Sequence, residues 1–357
     1  RGLERYGSGG LLKGNKMVTI SVCMIVKNEE EQLGACLESL RPIADEIIVV
    51  DTGSADRTKE IAARFTDRIY DFAWIDDFSA ARNFAFSKAK MDYIYTVDAD
   101  ELLDEANIRR FLDMKRVLLP EIEIVQMHYL NLMEQNTAYN SKRELRPKLF
   151  KRLRGFEWIN PVHETVRLDP VIYNSDIEIQ HLAKGSHAKR DFATFQKALR
   201  KGMRLDKTLH SMYAKELFIA GDAGDFAEAE DFFLKSCSDG SRSLDERREA
   251  ACVLARGYRL NGKTSDFFKF ILREAATCPS SEICAEAGEY FYSQGDFAEA
   301  LCWFNDAIFE TEAVISVYVK GKDSLNRLAD CYENTGEPEK AREYREMAEK
   351  WELPETV

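Results

Sequence analysis

Apolar and polar residues follow two alternating patterns in the part of the chain after Met17. Short apolar runs, typical of strands that are buried on both faces, alternate with segments whose apolar positions recur at helical spacing. The runs predict strands at residues 18–26, 47–50, 68–72 and 93–97, and the helical segments lie at 30–40, 57–65 and 79–90. Because each predicted helix connects two strands, we expect an α/β domain with a mostly parallel, Rossmann-like sheet and helices on both faces.

A different pattern begins near residue 191, where helical spacing continues with almost no strand signal. The segment Gly-Asp-Phe-Ala-Glu-Ala occurs at 224–229 and again at 295–300, with weaker copies at 262–263 and 336–341. A period of about 34 residues resembles the tetratricopeptide repeat. In such a repeat we expect glycine to form the turn between paired helices and alanine to permit close packing. An unrelated helical bundle is the alternative.

Length and charge fit a division into two domains. The chain has 357 residues, more than one typical domain, and a net charge of −12. We expect a linker or a native tail at 1–16, the α/β domain at 17–190 and the all-α helical-repeat domain at 191–357. Most of the acidic excess lies after residue 190, which argues against nucleic-acid binding there because phosphate contacts need a basic surface.

The sequence also predicts a cytoplasmic protein that is not integral to a membrane. No apolar run approaches the roughly 20 residues that a membrane-spanning helix needs, and no secretory signal precedes Met17. The eight cysteines lack C-x-x-C spacing, so we expect reduced and mostly buried side chains.

Acidic residues follow two of the predicted strands at the point where each strand ends. Asp51 comes after strand 47–50, and Asp98-Ala99-Asp100 comes after strand 93–97. Ligands of parallel α/β sheets bind at the carboxyl ends of the strands. Two carboxylates two residues apart can share a hard cation such as Mg²⁺ or Mn²⁺, which prefers oxygen ligands. The alternative for an isolated D-x-D is a solvated turn.

Four motifs occur in a characteristic order between residues 17 and 105. They are Lys27-Asn28-Glu29-Glu30, Val49 to Thr58 with its Asp51, Ala81-Arg82-Asn83, and Asp98-Ala99-Asp100. Together they resemble the family-2 glycosyltransferases of the GT-A fold. The resemblance implies a nucleotide-diphosphate sugar donor, with UDP favoured, a divalent Mn²⁺ or Mg²⁺, and an inverting single displacement. It also implies that the donor is bound by Asn28, Glu29, Asp51, Arg82 and Asp98, and the metal by Asp98 and Asp100.

Two later segments complete the predicted site. Trp158 to Glu164 contains His163-Glu164, similar to a segment of many relatives that stands where other members have an acidic catalytic motif. An inverting transferase needs a base for the acceptor proton, so Glu164 is the predicted base and His163 the alternative or a neighbour that shapes the site. The resemblance suggests His181, which ends the strand-like run 177–180, as the third metal ligand, with His187 as the competing position.

The acceptor is predicted less directly. Helical-repeat arrays suit peptide binding or self-association, and the pairing of the two domains resembles the peptide S- and O-glycosyltransferases of the sublancin-transferase type. The resemblance implies a peptide or protein acceptor. The alternatives are a saccharide or lipid-linked acceptor in cell-surface glycan assembly, with a homodimer formed through the helical domain, and a non-catalytic repeat scaffold.

A basic run at residues 142–154 contains seven Lys and Arg side chains. One interpretation is a solvated strand edge. The other is a positive rim that attracts an anionic donor or an acidic acceptor.

Overall fold

The computed structural model describes residues 17–131, 143–166, 170–181 and 188–353, so the tail predicted at 1–16 lies outside the described residues. The chain divides into two compact units. Among the described residues, the first unit contains 17–130, 145–160, 164–166 and 170–181. The second contains 131, 143–144, 161–163 and 188–353.

The first unit is an α/β domain. Its strands are β1 (Ile20–Val26), β2 (Glu46–Asp51), β3 (Ile69–Asp71), β4 (Tyr93–Val97), β5 (Glu101–Leu102), β6 (Ile124–Asn131), β7 (Arg143–Lys151), β8 (Trp158–Ile159), β9 (Thr165–Val166) and β10 (Ile172–His181). Its helices are α1 (Leu33–Leu40), α2 (Thr58–Ala62), α3 (Phe78–Lys88) and α4 (Glu105–Val117). The predicted order of strands and helices up to β4 is confirmed, and the ends differ by only a few residues.

Eight strands form one sheet in the order β3-β2-β1-β4-β7-β6-β10-β5. β1 pairs in parallel with β2 and β4, and β2 pairs in parallel with β3. β7 joins β4 antiparallel, and β5 joins β10 antiparallel. The parallel strands β1, β2 and β4 are buried on both faces, which explains why their sequences are nearly continuous apolar runs.

Two apolar clusters cover the two faces of this sheet. Val22 and Met24 of β1 share one cluster with residues of α1 and α4, whereas Cys23 shares the other with Ile48 and residues of α3. Successive residues of a strand point to opposite faces. The predicted helices on both faces are therefore confirmed.

The register of the parallel strands places three loops at one edge of the sheet. Val26 at the end of β1 pairs with Asp51 at the end of β2, and Met24 pairs with Val97 at the end of β4. The loops that follow β1, β2 and β4 therefore leave the sheet side by side. These loops carry the first, second and fourth of the motifs quoted above.

The second unit is helical across residues 188–353. Its helices are α5 (Ala188–Arg200), α6 (Lys207–Ala220), α7 (Ala223–Ser238), α8 (Leu244–Leu260), α9 (Thr264–Ala275), α10 (Ser281–Ser293), α11 (Phe297–Asn305), α12 (Ser324–Asn334) and α13 (Pro338–Lys350). Within the described parts of the chain, no helix combines the length and the apolar character that crossing a membrane requires.

Glycine forms the turn between paired helices in three of the four repeat copies. Gly262, Gly295 and Gly336 have φ values of 67°, 79° and 82°, a left-handed conformation that glycine adopts without strain. The prediction is wrong for Gly224, which lies inside α7. Asp222 caps that helix by accepting hydrogen bonds from the N–H groups of Gly224 and Asp225, so the helix begins before the glycine.

The repeat between Gly295 and Gly336 is lengthened by an irregular segment between α11 and α12. It contains two π-helical turns, Asp306–Glu310 and Val319–Asp323. The fully buried Glu282 of α10 holds the stretch between them, because its carboxylate accepts hydrogen bonds from the backbone N–H groups of residues 314, 315 and 316. The irregular segment as a whole therefore accounts for the long spacing between Gly295 and Gly336.

Candidate active site

The loop after β2 is organised around the Asp51 carboxylate. Asp51 is only 2% exposed and accepts hydrogen bonds from the N–H groups of Gly53 and Ser54, each 3.0 Å from Oδ2. Gly53 has a φ of 102°, which only glycine adopts readily. Asp51 thus has a structural task in its own loop, and the nucleoside contact predicted for it stays a prediction.

The loop after β1 is tied to the same region. The backbone N–H of Asn28 donates to Ser54 Oγ at 2.9 Å, and the Asn28 side-chain oxygen accepts from the Ala55 N–H at 2.8 Å. The backbone N–H of Glu29 donates to Thr58 Oγ1 at 2.7 Å. The first two sequence motifs therefore form one interlocked pair of loops.

Arg82 of α3 connects two acidic residues of the site. Its side chain is 13% exposed; Nη2 lies 3.0 Å from Asp98 Oδ1, and Nε donates to Glu164 Oε1. Nη1 also donates to Thr96 Oγ1 at 2.9 Å. Arg82 is therefore not an exposed charge on a helix surface. It joins the predicted donor-binding carboxylate Asp98 to the predicted base Glu164.

The contact between Arg82 and Asp98 raises the pKa of Arg82 and lowers the pKa of Asp98. Burial alone would lower the pKa of Arg82, but the neighbouring carboxylates of Glu164 and Asp98 raise it above its usual value. Burial alone would raise the pKa of Asp98, but the charges of Arg82 and Lys148 hold it well below the usual carboxyl range. Asp98 is consequently ionised at neutral pH.

Trp158 provides a wall for Arg82. The guanidinium carbon lies 5.4 Å from the centre of the Trp158 ring. Asn83, the next residue of α3, fixes the tryptophan backbone, because its side chain donates to the Trp158 carbonyl at 2.9 Å and accepts from its N–H at 2.8 Å. The Ala-Arg-Asn motif therefore has two structural roles: Arg82 contacts the carboxylates, and Asn83 positions Trp158.

The Asp98–Asp100 turn follows β4 directly and leads into β5. The Glu101 N–H donates to the Asp98 carbonyl at 3.1 Å, and the Cys36 thiol lies 3.5 Å from the same oxygen. The side chain of Asp98 is 40% exposed, and Asp100 is partly exposed. Both carboxylates offer the oxygen ligands that suit Mg²⁺ or Mn²⁺. The described side chains contain no cluster of three His, Cys, Asp or Glu residues suited to a metal ion.

The backbone of His181 is brought beside this turn. His181 ends β10 and pairs with Glu101 of β5 in the antiparallel ladder. The His181 side chain and the competing residue His187 lie outside the described part of the structure. Metal ligation by His181 therefore stays a prediction, and the strand pairing supplies a backbone reason for it.

His163 and Glu164 have different surroundings although they are neighbours in sequence. Glu164 is 12% exposed and bonded to Arg82 in the first unit. His163 belongs to the second unit, where its ring centre lies 5.8 Å from that of Phe195. Its φ of 46° is unusual for a residue other than glycine.

Part of the basic run is neither a solvated edge nor a rim. Lys148 is buried against Glu101, and the Arg146 guanidinium lies 3.9 Å from the centre of the Tyr129 ring. Arg152 donates to the Met91 carbonyl at 2.6 Å. Lys142 lies outside the described residues. Sequence reasoning missed the inward direction of Lys148 and Arg146; their two-residue spacing on a strand was the available signal.

Comparison with known proteins identifies the class to which this site belongs. Residues 21–166 match the family model described as glycosyl transferase family 2, so this segment of the chain is a domain of that glycosyltransferase family. The matched segment contains Asp51, Arg82, Asp98 and Glu164. The predicted GT-A class of α/β fold is confirmed by this match and by the topology of the sheet.

Two curated proteins resemble longer parts of the chain. A TPR repeat-containing protein of Synechococcus elongatus is 38% identical over 156 residues, which cover 43% of this chain and 36% of that protein. The prophage-derived glycosyltransferase SunS of Bacillus subtilis is 27% identical over 240 residues, which cover 64% of this chain and 56% of SunS. The chain therefore spans about one third and about half of the lengths of these relatives.

Similarity to solved structures is weaker. Glucosyl-3-phosphoglycerate synthase of Mycobacterium tuberculosis, in complex with Mn²⁺ and UDP-glucose, shares 13% identity with the chain and has a TM-score of 0.37. The match covers 53% of this chain and 81% of that one.

Proposed function

We propose that the chain is a metal-dependent, inverting glycosyltransferase that moves a sugar from a nucleotide-diphosphate donor to a peptide or protein side chain. The observation that carries the proposal is the contact of Arg82 with both Asp98 and Glu164 in a family 2 glycosyltransferase domain. It joins a donor-side carboxylate and a candidate base through one buried cation. A non-catalytic scaffold would have no need of such a cluster.

The donor is held in this proposal by the interlocked loops and the Asp98 turn. Asn28, Glu29 and Asp51 border the nucleoside, while Arg82 and Asp98 face the ribose and the diphosphate. Carboxylates accept hydrogen bonds from ribose hydroxyls and uracil N–H groups, and arginine offers a planar fork of donors. UDP is the favoured nucleotide on the resemblance stated above.

Asp98, Asp100 and His181 would hold the divalent cation. The two carboxylates meet the requirement for oxygen ligands, and the β5–β10 pairing puts the His181 backbone next to the turn. When bound, Mn²⁺ or Mg²⁺ would supply charge to neutralise the leaving diphosphate. The ionised state of Asp98 prepares the site for this cation.

Glu164 takes the acceptor proton in the proposed step. The acceptor oxygen or sulfur forms a bond to the anomeric carbon, the bond from that carbon to the diphosphate breaks, and the acceptor proton passes to Glu164. Arg82 orients the carboxylate through its hydrogen bond from Nε. His163 is the alternative base.

A Glu164→Gln substitution tests this assignment. Gln retains a side-chain oxygen for Arg82 but removes the basic carboxylate, so donor binding should persist and turnover should fall about 10²-fold or more. UDP release from UDP-sugar measures turnover, and a thermal shift with UDP and Mn²⁺ measures binding. His163→Gln is the matched variant. Near-normal turnover of the Glu164→Gln protein, or a greater loss in the His163→Gln protein, would move the base role away from Glu164.

The acceptor part of the proposal is supported by the resemblance to peptide glycosyltransferases and by the acidic helical unit. An acidic surface favours a basic peptide over an anionic glycan. Radiolabelled sugar transfer by the full chain should therefore proceed to basic peptides rather than to matched acidic peptides. Transfer confined to mono- or oligosaccharides would establish the glycan-acceptor alternative instead.

We also place the reaction in the cytoplasm. All eight cysteines lie in the described residues and none forms a disulfide, as a reducing compartment would require. Homodimer formation through the helical domain stays a prediction that light scattering of the full chain can test.

A further inference from the structure

The residue that follows the Asp98–Asp100 turn, Glu101, forms a buried ion pair with Lys148. Glu101 of β5 is 1% exposed, Lys148 of β7 is 7% exposed, and Lys148 Nζ lies 2.5 Å from Glu101 Oε1. The second Glu101 oxygen has no hydrogen-bond partner among the described residues. Such a pair is a poor means of stabilising a fold, because desolvation of two charges offsets their attraction.

Glu101 is attached both to the turn and to the strand beside it. Its N–H donates to the Asp98 carbonyl, and it pairs with His181 across the β5–β10 ladder. β5 contains only two residues, so its backbone hydrogen bonds alone hold it weakly. The Lys148 contact adds a side-chain anchor from a different strand of the same sheet.

We propose that Lys148 is a positioning residue: through Glu101 it fixes the Asp98–Asp100 turn and thereby sets the affinity of the site for a divalent cation. This rests on the proposed function of the turn as a metal site. Lys148 need not touch the cation or the donor. Groups that hold metal ligands in place commonly change metal affinity by about 10- to 100-fold when they are removed.

The direction in which replacing Lys148 changes the cation affinity distinguishes a positioning role from a direct electrostatic effect. Lys148 carries a positive charge and is paired with Glu101, the residue that follows Asp100. Removing this charge would by itself strengthen the binding of a cation, because like charges repel. Loss of the anchor would weaken binding, because the two carboxylates would no longer be held in one geometry.

The test uses Mn²⁺ alone as the probe and the full chain as the protein. Free Mn²⁺ is followed by electron paramagnetic resonance during titration. We expect Lys148→Met to raise the Kd for Mn²⁺ at least about tenfold. Lys151→Met is the matched control, because Lys151 lies on the same strand but contacts the Pro120 carbonyl.

Hydrogen exchange in the metal-free chain provides a second readout. Amides at residues 99–102 and 179–181 should exchange faster in Lys148→Met and at the wild-type rate in Lys151→Met. If Lys148→Met fails to fold, Lys148→Gln should show the same changes to a smaller extent. Unchanged or tighter Mn²⁺ binding by a folded Lys148 variant, or unchanged exchange, overturns the proposal. A wild-type chain that binds no Mn²⁺ overturns the proposed metal function and the affinity effect, and exchange then decides the positioning role alone.

Discussion

Replacing Arg82 by Met removes the cation that two carboxylates share. Breaking a buried ion pair costs about 3–5 kcal/mol, because the remaining charge is left uncompensated. Glu164, at 12% exposed, fits this case, whereas Asp98 is 40% exposed and solvent screens much of its share. We therefore expect the free energy of unfolding of the α/β unit to fall by about 3 kcal/mol, the low end of that range.

Hydrogen exchange of the slowest amides in β1 measures this loss in the α/β unit alone. A loss of about 3 kcal/mol should accelerate their exchange about 100-fold at pH 7. Arg116→Met is the matched control, because Arg116 and its partner Asp113 are both largely exposed, and it should change stability by less than about 1 kcal/mol. Acceleration by Arg82→Met below about threefold would refute the reasoning.

The same variant has a defined pH dependence. The folded-state pKa of Asp98 is held below its usual value by Arg82 and Lys148 despite partial burial. A depressed carboxyl pKa stabilises the fold above the unfolded value, about 3.9, and this contribution disappears as the pH falls through the folded value. The Asp98 share of the difference in the free energy of unfolding between wild type and Arg82→Met should therefore be complete at pH 7 and shrink below about pH 4. If the difference in the free energy of unfolding were the same at neutral and acid pH, the ionised Asp98 carboxylate would not contribute to it.

Two further substitutions each test one contact, a pair of hydrogen bonds in the α/β unit and a close helix packing in the helical unit. Asn83→Ala removes both hydrogen bonds to the Trp158 backbone and should lower the free energy of unfolding by about 2 kcal/mol in the same exchange experiment; a change under about 0.5 kcal/mol would contradict that role. Gly288→Ala should lower the free energy of unfolding, measured with urea, by about 1–3 kcal/mol, because the added Cβ would lie 2.8 Å from the Phe304 ring. Gly240→Ala is the control, because its Cβ would have no atom within 4 Å. Equal effects of the two alanines would refute the packing argument.

The α/β half could be predicted from sequence because its signals are local. The parallel strands β1, β2 and β4 are nearly continuous apolar runs, and three of the four motifs follow the ends of these strands, so the pattern places Asp51 and Asp98 at one edge of the sheet. The partners of Arg82 could not be predicted in the same way. Thr96 and Glu164 reach it across 14 and 82 residues, and no local pattern encodes such contacts.

In the helical half, a local sequence pattern was present but did not always predict the structure. The glycine signal predicted three turns correctly but failed at Gly224, where a capping aspartate two residues earlier starts the helix. The long spacing between Gly295 and Gly336 could not be predicted, because the irregular segment that causes it contains π-helical turns and is contacted by the buried Glu282 of another helix. Capping chemistry competes with a repeat pattern wherever both occur within one turn of helix.

The interlocked loops after β1 and β2 have a consequence for how any ligand would enter. Asn28 and Glu29 are already bonded to residues of the neighbouring loop, and the Asp51 carboxylate already holds its own turn. Ordering a flexible loop on binding costs conformational entropy, and a preorganised loop avoids that loss. In the proposed donor site these two loops would therefore be ordered before binding, and their shape would select among ligands instead of adapting to them.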